Sequence, residues 1–275
     1  MRQRLTITLK DSILSKIDET IDGIRIRNRS HAIEYLLNKA FYSSQTQAVI
    51  LVGGKGTRMR PYTYELPKAM LPIRNKPILE YMILSLRSAG IRDVILCIGE
   101  HTEAIYEHFG NGERFGVRIT YVQEQGELGT GGALLNARKH VHSSPFLLLY
   151  GDVFARLDYK DLLSFHLQQA EMVTMVLKPL QEVKAFGQIT MRGSNVTGFF
   201  PHAKKERKSN LVNAGMYVCG QDIFDAFSTT RTVFQFEDIL TQYIEKQQVA
   251  GYVYDGPWFD VGTPEDYEQA IKALR

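Results

Sequence analysis

The stretch "ILVGGKGTRMRPYTYELPKAMLP", residues 50–72, decides how the chain is read. A short apolar run ends in a glycine-rich turn, a Thr-Arg pair follows, and a Pro-Lys comes ten residues after that arginine. An apolar run that breaks into glycines reads as a buried strand entering a tight turn. Gly53, Gly54 and Gly56 permit steep backbone angles and let amides approach an anion closely. Arg58 adds a planar cationic fork suited to phosphate, and Lys68 adds a point charge. The turn is not a P-loop, because no Gly-Lys-Ser/Thr closes it, and G-x-G-x-x-G does not occur in it.

Outward from that turn, strand-like runs alternate with helical patterns. "AVILVGG", "DVILCIGE", "VRITYVQE" and "PFLLLYGD" read as strands, with "PILEYMILSLRSAG", "TEAIYEHFG" and "TGGALLNARKHV" as helices between them. That rhythm predicts an α/β fold: a Rossmann-like, mainly parallel sheet with helices on both faces. After residue 171 come "MVTMVL", "GQITM", "VTGFF" and "NAGMYVC", which predict a mixed β extension. "FEDILTQYIEKQ" and "TPEDYEQAIKALR" read as amphipathic helices. In such sheets ligands sit at the carboxyl ends of the strands, which makes the first turn the leading candidate site.

The first 42 residues differ from the rest. "RLTITL" alternates apolar and polar residues as a half-buried strand does. Asp11 or Ser12 can cap a helix running to Ile21, with Gly23 beyond its end, and Ser30 can cap a second helix running to Phe41. "SSQTQ", residues 43–47, reads as a linker, and 48–275 as the second domain. Residues 1–41 carry eight Lys/Arg against five Asp/Glu, so the chain totals of 33 and 30 leave 25 against 25 elsewhere. All the net charge of +3 therefore lies in the first unit. A lone strand with two unpaired edges is completed most simply by the same strand of another copy.

Composition sets outer limits. With 44% hydrophobic and 23% charged residues the chain suits a globular protein. No apolar run approaches the ~20 residues of a membrane span, and the N-terminus lacks the apolar stretch of a signal peptide. Cys97 and Cys219 both sit in apolar strand-like runs and read as buried free thiols, which points to the cytoplasm. The seven histidines show no metal-ligand spacing.

Two resemblances follow. "GGKGTRMRPYTYELPKAMLPIRNKPILEY", with "LGTGGAL", "YGD", "NAG" and "FDVGTPEDY" in the same order, resembles the sugar-1-phosphate nucleotidyltransferases. The resemblance implies transfer of a nucleotidyl group from an NTP to a sugar 1-phosphate, with release of pyrophosphate. It implies that Leu51, Gly53, Gly54, Gly56, Thr57 and Arg58 hold the nucleotide, with Glu124, Gly129 and Thr130 around the base and Asp152 nearby. It implies Arg58, Lys68, Asp152 and Asp260 as catalytic, with Asp152 and Asp260 holding Mg²⁺. Gly187, Asn213 and Gly215 match positions that contact the sugar, and Lys204 or Lys205 is available for its phosphate. The Glu that many members carry in the stretch before "NAG" is absent from "HAKKERK". A carboxylate at 124 suits guanine, whose N1–H and N2–H₂ are adjacent donors, so GTP with a mannose- or heptose-type sugar is expected. Residues 1–42 resemble a ribbon-helix-helix domain of the MetJ/Arc kind, which implies a homodimer or higher assembly and double-stranded DNA as a partner. Carried over, Arg4, Thr6 and Thr8 face the bases, and Arg29 and Ser30 lie at a phosphate. A DNA-binding regulator that uses the second domain as a sensor of nucleotide or sugar phosphate is the competing reading.

Overall fold

The computed structural model describes residues 6–23, 26–99, 102–169, 171–183, 186–201, 208–227 and 232–273. Arg4, Lys204 and Lys205 lie outside them. The helices are α1 (Asp11–Asp18), α2 (Arg29–Gln45), α3 (Ile78–Ser88), α4 (Glu103–Phe109), α5 (Gly129–Ala137), α6 (Tyr159–Gln169), α7 (Phe236–Glu245) and α8 (Pro264–Ala273). The strands of the first half are β1 (Gln47–Leu51), β2 (Pro72–Ile73), β3 (Lys76–Pro77), β4 (Asp93–Ile98), β5 (Arg118–Gln123), β6 (Phe146–Tyr150) and β7 (Val153–Ala155). Those of the second half are β8 (Val173–Pro179), β9 (Gln188–Arg192), β10 (Asn195–Phe200), β11 (Leu211–Cys219), β12 (Val249–Val253) and β13 (Trp258–Asp260).

Among the described residues, nine strands form one sheet in the order β5-β4-β1-β6-β11-β8-β12-β10-β9. The neighbours β5, β4, β1 and β6 run parallel. β11 enters antiparallel to β6 and β8, and β9 and β10 form an antiparallel pair at the far edge. The break in direction follows the sequence, where helix-length stretches between strands give way to short β runs.

Alternation on β1 shows why both faces are covered. Ala48 and Ile50 join one apolar cluster with α3, α4 and α6, while Val49 joins another with α5 and α7. Cys97 and Cys219 are buried, free thiols. His166, buried and paired with Thr174 at 2.9 Å, is a core histidine, and burial pushes its pKa down to about 4. None of the described helices is long and apolar enough to cross a membrane.

A third, smaller cluster holds the loops at the strand ends. Met59, Leu71, Ile73, Ile78, Phe154, Val261, Tyr267 and Ala270 pack together. Each loop that carries a predicted catalytic residue sends a neighbour into this cluster: Met59 beside Arg58, Phe154 two residues after Asp152, and Val261 beside Asp260.

The N-terminal unit departs from expectation in three places. Residues 6–10 are not in a strand, because among the described residues no strand pairs with them. Helix α1 ends at Asp18 rather than at Ile21, and the Thr20 hydroxyl donates back to the Ile17 carbonyl at 2.7 Å. Asn28, not Ser30, caps α2, accepting from the His31 amide at 2.9 Å. The stretch read as a linker, residues 43–47, holds the end of a helix and the start of a strand. α2 runs to Gln45 and β1 starts at Gln47, since nothing in Ser-Ser-Gln stops a helix as Gly or Pro would. Ile17, Ile26 and Ala32 form the unit's own small core, and α2 also leans on α6.

Cutting Phe154 to Ala removes the ring from the third cluster, where 5% of the residue is exposed. The expected cost is about 3–5 kcal/mol of unfolding free energy, read from urea midpoints.

Candidate active site

The glycine turn after β1 opens into a cleft of about 380 Å³ at the carboxyl end of the sheet. Leu51, Gly53, Gly54, Lys68, Glu124, Gly129, Thr130 and Asp152 all line it. The structure thus brings together residues from three of the five quoted motifs. Gly56, the neighbour of Thr57, takes a left-handed φ of 60°, and the 3-10 turn of residues 57–59 follows it with Arg58 exposed.

Lys68 and Asp152 meet directly. Lys68 Nζ donates to Asp152 Oδ2 at 2.5 Å, with the lysine side chain 12% exposed. Asp260 lies beside them because β13 pairs antiparallel with β7, placing Asp260 opposite Val153. The Val261 amide then donates to the Asp152 carbonyl at 3.0 Å. Burial, and next the charge of Asp152, push the Asp260 carboxyl up to about 7, opposed by Lys68 and Arg58. Arg58 stands on this side too. A Cβ built on Gly262 would lie 3.7 Å from Asp260 Oδ1 and 3.8 Å from Arg58 Nη2.

Glu124 is the second distinctive group. Its amide donates to the Ile98 carbonyl at 2.8 Å, which fixes it beyond the end of β4. The carboxylate presses on the turn so closely that a Cβ on Gly53 would fall 2.2 Å from Oε1. Only glycine fits at 53 while Glu124 points there. The residue is buried, and burial raises its pKa to about 7. No protein donor is recorded for the carboxylate among the described residues, although the cleft opens in front of it.

The sugar-side residues gather one strand away. The Asn213 amide donates to the Gly187 carbonyl at 3.2 Å, and Asn213 Oδ1 accepts from the Gly215 amide at 3.1 Å. Gly215 has φ 71°, and a Cβ there would press on the Tyr150 ring at 3.1 Å. Trp258 donates from Nε1 to the Ala214 carbonyl at 3.1 Å, closing that side. Lys55 and Glu127, both on the cleft wall, form an ion pair at 3.1 Å.

At the N-terminus Thr6, Thr8 and Ser30 are exposed. Arg29, read as a phosphate contact, instead forks onto Asp18 at 2.7 and 2.8 Å. Sequence reasoning missed Tyr150, Gln235 and Glu237, which border the cleft or stand behind it. The signal for Gln235 and Glu237 was a helix starting in "QFED" whose first turn carries two acids, while Tyr150 opens the quoted "YGD".

Comparison with known proteins agrees with this arrangement. A family profile described as "Nucleotidyl transferase" matches residues 47–275. The chain is 35% identical over 230 residues to the D-glycero-alpha-D-manno-heptose 1-phosphate guanylyltransferase of Aneurinibacillus thermoaerophilus, covering 83% of this chain and 98% of that one. It is 33% identical to the mannose-1-phosphate guanylyltransferase of Mycobacterium tuberculosis, over 81% of this chain and 63% of that protein. The solved structure of HddC from Yersinia pseudotuberculosis complexed with GMP-PN superposes with a TM-score of 0.70 at 25% identity, covering 84% of this chain and all of that one.

The buried Glu124 carboxyl has a direct consequence for stability. Its value rises from 4.5 to about 7 on folding. The folded protein therefore binds the proton more tightly, and the stability this contributes is lost as pH rises through that window. Glu124→Gln is expected to gain stability relative to wild type between pH 5 and about 7.5, read from thermal midpoints at half-unit steps.

Proposed function

From the premise that this chain belongs to the nucleotidyl transferase family, we propose that it makes a GDP-sugar from GTP and a mannose- or heptose-type sugar 1-phosphate, with Mg²⁺. The carrying observation is a buried carboxylate at 124 with no recorded protein donor among the described residues, facing a cleft that the glycine turn, Lys68 and Asp152 also line. Relatives named as guanylyltransferases of heptose 1-phosphate and mannose 1-phosphate support the choice of base and sugar.

The chemistry is in-line displacement. A phosphate oxygen of the sugar 1-phosphate bonds to the α-phosphorus of the NTP, the bond to the β-phosphate oxygen breaks, and pyrophosphate leaves with the electron pair. No protein nucleophile is needed, so catalysis rests on position and charge. The 53–57 turn offers amides to the phosphates. Lys68 and Arg58 offset the negative charge of two polyanions, Lys68 beside Asp152 and Arg58 beside Asp260. Glu124 accepts from guanine N1–H and N2–H₂. On the sugar side Gly187, Asn213 and Gly215 offer backbone and amide groups to hydroxyls, and Lys204 or Lys205 is available for the sugar's phosphate.

The donor set fits a hard divalent cation. Asp260 is a carboxylate that burial, and next the charge of Asp152, push up to about 7, and Mg²⁺ takes one or two carboxylates plus substrate phosphates. When bound there it would neutralise the reacting phosphates and hold them in line.

The N-terminal unit supports a separate part of the reading. Residues 6–10 carry no secondary structure and pair with no strand among the described residues, Lys10 is extended, and Ile7 is 47% exposed, as a strand awaiting its twin would be. A homodimer through residues 1–42, with the polar strand face toward the DNA major groove, accounts for the excess positive charge of that unit.

A panel of NTPs and sugar 1-phosphates, followed by pyrophosphate release, tests the reaction. GTP with mannose or heptose 1-phosphate is expected to turn over; reaction with UTP or dTTP alone would overturn the base assignment, and binding without turnover would leave a sensor. Asp152→Asn and Asp260→Asn should each lose roughly a hundredfold or more in kcat. Glu124→Gln should lower kcat/KM for GTP by about tenfold or more. In wild type, GTP affinity should rise as pH passes through about 7 and the Glu124 proton leaves, a dependence that Glu124→Gln abolishes. A salt-sensitive shift of mixed-sequence duplex DNA, weakened in Arg29→Ala, checks the N-terminal reading, and a monomer in solution would sink it.

A further inference from the structure

Helix α7 was legible only as an amphipathic helix, yet its first turn reaches the site from behind. Glu237 sits there among four side-chain donors from three separate elements. Its Oε1 accepts from Tyr150 at 2.8 Å, from Asn213 Nδ2 at 3.4 Å and from Tyr217 at 3.5 Å. Its Oε2 accepts from Thr130 Oγ1 at 3.3 Å. Tyr150 and Tyr217 are held protonated, and so as donors, by their burial and by neighbouring charge. Three of these donors converge on Oε1, which has about two lone pairs, so the 2.8 Å bond from Tyr150 is the strong one and the contacts at 3.4 and 3.5 Å share what remains, while Thr130 meets Oε2 alone.

The partners divide between the two halves of the site. Thr130, in the first turn of α5, lines the nucleotide cleft beside Gly129. It is also gripped by the neighbours of Glu237: Gln235 Oε1 lies 3.1 Å from its hydroxyl, and the Phe236 amide donates to that hydroxyl at 2.8 Å. Asn213 opens the sugar-side motif and orders Gly215 through its Oδ1. Tyr150 ends β6 two residues before Asp152, and its ring packs against Gly215. One side chain thus touches the nucleotide side, the sugar side and the strand that delivers an aspartate. Glu237 itself does not line the cleft.

We propose that Glu237 is a positioning residue that couples the nucleotide half of the site to the sugar half. It rests on the substrate reading given above. It acts through Thr130 and Asn213, holding each at the spacing that the two substrates need for in-line attack. A displacement of an ångström in either costs reactivity far out of proportion to the bonds lost. Removal of the carboxylate leaves four donors turned toward a gap, so each rotates to find another acceptor. Both half-sites loosen together, although the change lies in neither.

The test compares Glu237→Ala and Glu237→Gln with wild type in full-length protein. KM is measured separately for GTP and for mannose 1-phosphate, with thermal midpoints alongside. Glu237→Ala is expected to raise both KM values roughly tenfold and to lower kcat. Glu237→Gln is expected to stay within about threefold of wild type. Its carbonyl keeps the Tyr150 bond, and its amide donates to Thr130 Oγ1, whose own proton turns to Gln235. A lowered midpoint with unchanged KM values would show a merely structural role and overturn the proposal. So would a rise in only one KM, or a Gln variant no better than Ala. If wild type releases no pyrophosphate with any pair of substrates, the reaction reading fails. Calorimetric Kd values for GTP and mannose 1-phosphate then carry the same comparison, and parallel weakening in Glu237→Ala with recovery in Glu237→Gln sustains the coupling.

Discussion

The pairing of residues 258–260 with 153–155 is the constraint on which the site depends. Those segments are about a hundred residues apart in the chain, and neither belongs to the main sheet. The register sets Asp260 opposite Val153, and the next amide donates to the Asp152 carbonyl. Two carboxylates are thereby forced together against their own repulsion. Folding tolerates this because Phe154 and Val261, the neighbours of that ribbon, bury themselves with Met59 and Tyr267. Apolar burial of the loops, with the Lys68 ion pair to Asp152, offsets the electrostatic cost.

The same logic governs Glu124. A buried carboxylate without a donor is unfavourable in the free protein. It persists because the Ile98 carbonyl fixes its backbone and Gly53 leaves room for its head. The glycine turn therefore has two duties. It offers amides to phosphate and makes space for a carboxylate that a side chain at 53 would evict.

Legibility in the sequence tracks how local each feature is. The strands and helices of the larger unit were readable because apolar periodicity is a local property, and Gly53 to Arg58, Lys68, Asp152 and Asp260 were readable because each sits in a compact motif. Glu237 was not. Its role arises from Thr130, Tyr150, Asn213 and Tyr217, which the fold alone brings around it. The helical reach of residues 43–45 was missed for a different reason. Ser43 and Ser44 are middling helix formers, Gln45 is a good one, none is a breaker, and a helix already under way continues until something stops it. Residues 6–10 show the limit most plainly: alternation marks a strand, but a strand exists only when another lies beside it.

The parallel part of the sheet also explains why the charged groups are where they are. β1, β4 and β6 run the same way, so their carboxyl ends open at one edge, and the Gly53 turn, Glu124 and Asp152 all follow from strands that end there. β11 runs against β6, so Asn213, near its start, arrives at that same edge from the opposite direction. One reversal in strand direction thus delivers the sugar-side residues to the mouth of the nucleotide cleft. A fifth parallel strand at that position would have carried its early residues to the far edge of the sheet. The switch from parallel to antiparallel is what brings Asn213 to the same edge as the Gly53 turn, Glu124 and Asp152.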